Sequence, residues 1–133
     1  MKLVLKVQTG TNVAELEMKQ KDVVILGRGS NASHKLVDGK LSNAHCRLVL
    51  MSDKLMVYDL GSKNGTTVNG IKVMEAAEVY IGDEIIVGET KITMHTARMD
   101  KETVAALTFK GNPLDRNGKN LRLDYTAVFK KPK

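Results

Sequence analysis

The side chains best suited to chemistry sit in short polar segments between apolar runs. Gly27-Arg28-Gly29-Ser30 comes first and Leu41-Ser42-Asn43-Ala44-His45 second. Asp59-Leu60-Gly61-Ser62-Lys63-Asn64-Gly65-Thr66 follows, with Val68-Asn69-Gly70 just beyond it. Arg28 brings a guanidinium that is always charged and forked to fit two oxygens of a phosphate. Ser42 brings one hydroxyl donor, and Asn43 and Asn64 bring amides that both donate and accept. An amide can pair with the N–H and C=O of one residue in an extended peptide, and so hold the peptide without reading its side chain. These residue types suit a surface that holds an anion and an extended peptide. They do not suit catalysis: Ser42 and His45 are close in sequence, but no G-x-S-x-G elbow and no acid partner accompany them.

Two rival chemistries are weaker. His45-Cys46 with His34 or His95 has spacings that match no standard zinc pattern, so neither a metal nor another cofactor is expected. Gly27-Arg28-Gly29-Ser30-Asn31-Ala32 formally fits the glycine-rich dinucleotide fingerprint, which must open a helix whose N-terminus receives the pyrophosphate. The residues that follow, Ser33 to Gly39, have no helical apolar period, and the chain lacks the alternating β/α pattern of that fold.

The elements that must position these residues read as short strands. Leu3, Leu5 and Val7 alternate with polar residues, as do Ala14, Leu16 and Met18, and Thr9-Gly10-Thr11-Asn12 reads as the hairpin connection between them. Val23-Val24-Ile25-Leu26 is a continuous apolar run, which predicts a strand buried on both faces. Further strands are expected near 45–51, 54–60, 66–68, 71–73, 78–81, 84–88 and 90–96, separated by Asn-Gly and Gly-Asp turn signals. Many short strands at this spacing predict an all-β sandwich or barrel.

Composition divides the chain near residue 97. Residues 1–97 carry 12 Lys and Arg against 11 Asp and Glu, whereas residues 98–133 carry 9 against 4. A near-neutral body argues against nucleic acid as its partner, since that footprint is a basic patch on the folded domain. Nucleic-acid binding would have to act through the basic tail. Residues 98–133 are expected to be a linker or a docked extension. Within them Asp100 is placed to cap a short helix reaching Leu107, and Leu121 to Tyr125 alternates weakly like one more strand. Val104, Leu107, Phe109, Leu121, Leu123, Val128 and Phe129 are the apolar residues able to dock it on the sandwich. A single cysteine excludes an internal disulfide and fits a reducing, cytoplasmic setting. The N-terminal segment does not read as a signal peptide. No run approaches the roughly 20 apolar residues that span a bilayer.

The ordered set GR, S-x-x-H and G-S-x-N-G-T-x-x-N-G resembles the forkhead-associated (FHA) domain, a phosphothreonine-peptide reader, over about residues 2–97. The resemblance implies a β-sandwich of about eleven strands with binding loops at one end, followed by the extension 98–133. It implies that Arg28, Ser42 and Asn43 bind phosphate and that Asn64 holds the peptide backbone. Gly27, His45, Gly65, Thr66, Asn69 and Gly70 would then support the site, with His45 bracing the loop of Ser42. Ala44 stands where a polar residue can add a phosphate contact, so that contact is expected to be missing. Lys63 either adds charge for the phosphate or faces solvent. Lys40 is an auxiliary candidate that would favour an acidic residue three beyond the phosphothreonine. The implied partner is a threonine-phosphorylated protein made by an upstream Ser/Thr kinase, bound without catalysis. The alternative is a regulatory module of a larger enzyme or secretion assembly, with 98–133 as linker.

Overall fold

Residues 1–111 are described by a computed structural model. The expected strand over 121–125 and the docking candidates Leu121, Leu123, Val128 and Phe129 lie outside them. The described chain is a sandwich of two sheets with eleven strands: β1 (Lys2–Thr9), β2 (Asn12–Lys19), β3 (Val23–Gly27), β4 (His34–Lys35), β5 (Cys46–Leu50), β6 (Leu55–Asp59), β7 (Thr66–Val68), β8 (Ile71–Lys72), β9 (Ala76–Val79), β10 (Ile85–Val87) and β11 (Thr90–Met94). One sheet has the order β2-β1-β11-β10-β7-β8 and the other β4-β3-β5-β6-β9. Every pairing is antiparallel except the short parallel contact of β3 with β4.

The core forms where the period-two faces of the two sheets meet. Leu3, Leu5, Val7, Ile85 and Ile92 of one sheet face Leu48, Leu50, Leu55 and Val57 of the other in one apolar cluster. Each such side chain contributes about 1.5–3 kcal/mol through removal from water. The alternation in β2 does not report equal burial: Met18 is buried, Leu16 half-buried and Ala14 exposed, because β2 is an edge strand. The expectation that β3 is buried on both faces also fails. Val23 is 52% exposed, Val24 and Ile25 are half-buried, and only Leu26 and Gly27 are fully covered. The strand β4 was not foreseen, since two residues cannot show a period. The strand β9 starts at Ala76 rather than residue 78.

Packing continues past residue 97. After a 3-10 turn over Thr96–Arg98, the helix α1 (Lys101–Ala106) leads to Leu107, whose side chain is 1% exposed within the core cluster. Its carbonyl accepts the Ile81 N–H at 2.9 Å. Asp100 holds the expected N-cap position. Its carboxylate accepts from the Lys2 N–H at 3.0 Å and from the Thr103 hydroxyl, which ties α1 to the start of β1.

Register brings the polar segments together. Leu26, Cys46 and Asp59 lie side by side across β3, β5 and β6, so the segments after β3, before β5 and after β6 leave from one end. Thr66 opens β7 opposite Val87 and accepts the Val73 N–H on its carbonyl, so the β10–β11 turn and the β8–β9 loop share that end. The α1 helix, on Ile81 and Lys2, belongs to the opposite end.

Candidate functional site

Gly27 ends β3 where the backbone of Asn43 crosses it. A Cβ on Gly27 would lie 2.1 Å from the Asn43 carbonyl oxygen, so only glycine lets the two loops close on each other. The crossing is fixed by the Arg28 N–H on the Ser42 carbonyl and the Gly29 N–H on the Asn43 carbonyl, both at 3.2 Å. Sequence-adjacent residues of two distant motifs are thereby stacked.

Three side chains at this crossing are each oriented by one internal bond. Arg28 donates Nε–H to the Leu41 carbonyl at 2.7 Å. A guanidinium has five N–H donors, so the four on its Nη atoms stay available on an exposed side chain. Ser42 Oγ accepts the Lys63 N–H at 2.9 Å, which leaves its own O–H to donate outward. Asn64 donates one Nδ2–H to the Lys40 carbonyl at 2.7 Å, leaving a second N–H and the amide oxygen. Each group therefore keeps the donors that an anion or a peptide backbone needs, with its direction already set.

His45 is fully buried beneath them. Its Nδ1 accepts the Ser42 N–H at 3.1 Å, so Nε2 carries the proton and donates to the Gly65 carbonyl at 2.7 Å. Both ring nitrogens are spent on backbone groups of the two loops, and neither meets Ser42 Oγ. The Ser/His pair is therefore not a nucleophile with its base. Cys46, beside it, is buried, and desolvation pushes its thiol up to about 12, with Asp59 adding in the same direction; such a thiol is inert. Among the described residues, no three His, Cys, Asp or Glu side chains are grouped to hold a metal ion.

Two carboxylates that the sequence reading left without a role build the loops. Asp59 accepts from the Ser62 N–H at 3.0 Å, the Ser62 hydroxyl at 2.5 Å and the Thr66 hydroxyl at 2.8 Å. Ser62 Oγ in turn accepts the Gly65 N–H at 2.9 Å. Burial alone would raise the Asp59 pKa, but the Ser62 and Thr66 hydrogen bonds bring it below the ordinary value. Asp38 is buried and accepts from the Lys40 N–H, the Glu89 N–H and the Thr90 hydroxyl. Desolvation again pushes up, and these bonds outweigh it downward. The signal for Asp59 was present as Asp and Ser three apart in one turn, a pattern that favours side-chain-to-backbone bonding. Asp38 had only the turn dipeptide Asp38-Gly39 to mark it.

Gly65, which accepts from His45, and Thr66, which donates to Asp59, lie with the cluster. Asn43 and Lys63 are exposed beside it, and Lys63 reaches Ser42 through its backbone. The ammonium of Lys40 pairs with Glu89 at 3.4 Å, so its charge is shared with a carboxylate. Asn69 and Gly70 are not part of the group. They form the β7–β8 turn at the far end of β7, where Asn69 bonds Asp83 and the Glu84 N–H. Their motif reads continuously with Thr66, but three residues of extended strand separate the two ends by about 10 Å. Val37 and Met74, 92% and 82% exposed, are apolar side chains on loops of the same end as the cluster.

The family model for the FHA domain matches residues 24–88, which hold every member of this cluster. The FHA domain-containing protein FhaB of Mycobacterium tuberculosis is 37% identical over 71 residues, covering 53% of this chain and 46% of that protein. The chain thus spans about half the length of that curated relative. The crystal structure of the FHA domain of CT664 from Chlamydia trachomatis superposes with a TM-score of 0.67 at 25% identity, over 71% of this chain and 96% of that one. A structure from work on phosphothreonine-dependent FHA domain interactions matches with a TM-score of 0.63 at 28% identity, over 75% and 98%.

Proposed function

The chain carries a forkhead-associated domain over residues 24–88, and from that premise we propose that it binds a threonine-phosphorylated protein, without catalysis and without a metal or cofactor. Arg28 and Ser42 take the phosphate oxygens, with Asn43 at the rim. Asn64 holds the backbone of the next peptide residue, and Val37 and Met74 offer apolar contact to flanking side chains. The observation that carries this reading is that Arg28, Ser42 and Asn64 each spend one bond on orientation and keep outward donors. Preorganised donors of this kind meet an anion with little reordering. The solved relative studied for phosphothreonine-dependent interactions supports the choice of ligand.

The partner is made by a Ser/Thr kinase, and the domain works in the cytoplasm as a module of regulation. A domain edge beyond residue 97 fits this reading, supported by Leu107 in the core, Asp100 on the Lys2 N–H and the Phe109 ring against Tyr80. Affinity is micromolar, about −8 kcal/mol. Calorimetry with a phosphothreonine peptide and its unphosphorylated twin tests the reading. Binding should need the phosphate, and the phosphoserine analogue should bind about fourfold more weakly for one lost methyl contact. Equal binding of the unphosphorylated peptide would overturn it.

A further inference from the structure

We propose that Asp38 is a positioning residue for the phosphate site, acting through the loop whose successive carbonyls at Lys40 and Leu41 hold Asn64 and Arg28. This deepens the phosphopeptide reading and rests on it. Asp38 touches neither group. Its carboxylate is buried and joins its own loop, at the Lys40 N–H (3.0 Å), to the six-stranded sheet, at the Glu89 N–H and the Thr90 hydroxyl (both 2.8 Å). Its carbonyl accepts the Leu41 N–H at 3.1 Å, closing the turn.

The turn so formed aims two adjacent carbonyls in useful directions. The Lys40 carbonyl takes Asn64 from the β6–β7 loop, and the Leu41 carbonyl takes Nε of Arg28 from the end of β3. Arg28 belongs to one sheet and the anchor of Asp38 to the other, so the carboxylate sets the cation against a frame built by both sheets. The approach is close: a Cβ on Gly88 would lie 2.8 Å from Asp38 Oδ2. Thr90 is itself bonded to Thr9 at 2.7 Å, which extends the anchor to β1. A structural carboxylate with no such reach would not connect the two peptide-facing groups through neighbouring residues.

The test combines Asp38→Ala, Asp38→Asn and Arg28→Ala in the full chain. The Arg28 Nε–H proton is followed by NMR in the free protein, and affinity for a phosphothreonine peptide is measured well below the melting temperature. Asp38→Ala should speed exchange of the Arg28 Nε–H at least about tenfold and weaken binding about tenfold or more. Asp38→Asn keeps an acceptor but cannot satisfy all three donors, and should recover part of both. In an Arg28→Ala background the binding effect of Asp38→Ala should shrink to the part carried by Asn64. An Asp38→Ala protein that melts lower but keeps wild-type exchange and affinity overturns the proposal. If Asp38→Ala does not fold, Asp38→Asn decides alone: unchanged exchange overturns, faster exchange supports. If wild type binds no phosphopeptide, the functional reading fails, while the exchange of the free protein still decides whether Asp38 positions Arg28.

Discussion

His45→Ala removes a side chain whose two nitrogens join the Ser42 loop to the β6–β7 loop from beneath. Each ring bond contributes about 1 kcal/mol net, but deleting the ring leaves the Ser42 N–H and the Gly65 carbonyl without their partner, at about 1–3 kcal/mol each. The fully buried imidazole also leaves a void, which adds to the loss. The total is about 3–5 kcal/mol, a large share of the roughly 5–15 kcal/mol that holds a domain folded. At about 4 °C per kcal/mol for a domain of this size, melting should fall by about 12–20 °C. Because the same bonds set the height of Ser42 and Gly65, phosphopeptide affinity measured below the new melting point should drop by about tenfold or more, some 1.4 kcal/mol. Calorimetric melting and titration at neutral pH read both effects. His45→Gln, whose amide also accepts and donates, should recover part of each. A His45→Ala protein that melts within about 2 °C of wild type and binds equally would refute the bracing role, and one that stays stable while losing a hydrolytic activity would point to an enzyme.

Arg28→Ala should cost about 2–5 kcal/mol of binding by analogy with interfacial charge pairs, and Ser42→Ala about 1–3 kcal/mol. Arg28→Ala should hardly change melting, because the side chain is exposed; equal peptide affinity in titration would count against its role. Asp38 and Asp59 both have folded pKa values below the ordinary carboxylate value of about 3.9. As pH falls the unfolded chain protonates first, so their stabilisation is full above about pH 5 and is lost as pH drops through the lowered folded values. Melting followed from pH 7 to pH 3 should show this, with a shallower slope in Asp59→Asn; identical slopes would contradict it. Ending the chain after Arg98 removes Asp100, Thr103 and the buried Leu107, and should lower stability by about 2–5 kcal/mol. Ending it after Gly111 should not, and equal melting of the two truncations would show that the docked turn and helix are dispensable.

Much of the architecture was legible because it rests on local rules. Period-two alternation found β1, and paired Gly and Asn turns found the breaks around β7, β10 and β11. Motif order alone pointed to Arg28, Ser42, His45 and Asn64 as one group, and they do converge. Local rules were weakest where burial depends on what packs from outside. Val23 is apolar yet mostly exposed, and Leu16 alternates correctly but is only half-buried on an edge strand paired on one side alone. Charge content near residue 97 likewise marked a change of composition, not the point where packing ends, because Leu107 and Met99 still pack on the core.

The sequence by itself determined which side chains the loops of the candidate site offer, since residue type fixes which donors and charges are available. It also determined that they leave from turns between strands. Which valences remain free was decided in three dimensions. Asn64 and Arg28 lie 36 positions apart, yet both are aimed by adjacent carbonyls at 40 and 41. The same holds for Asp38, which gains its role from Glu89 and Thr90 some fifty residues away. The exclusion of Asn69 and Gly70 is of this kind as well: contiguous in the motif, they are carried to the opposite end by the rise of β7. Hydrogen bonding is directional and short-ranged, so whether a carboxylate, amide or imidazole builds a site depends on backbone groups that only the folded chain brings within three ångströms.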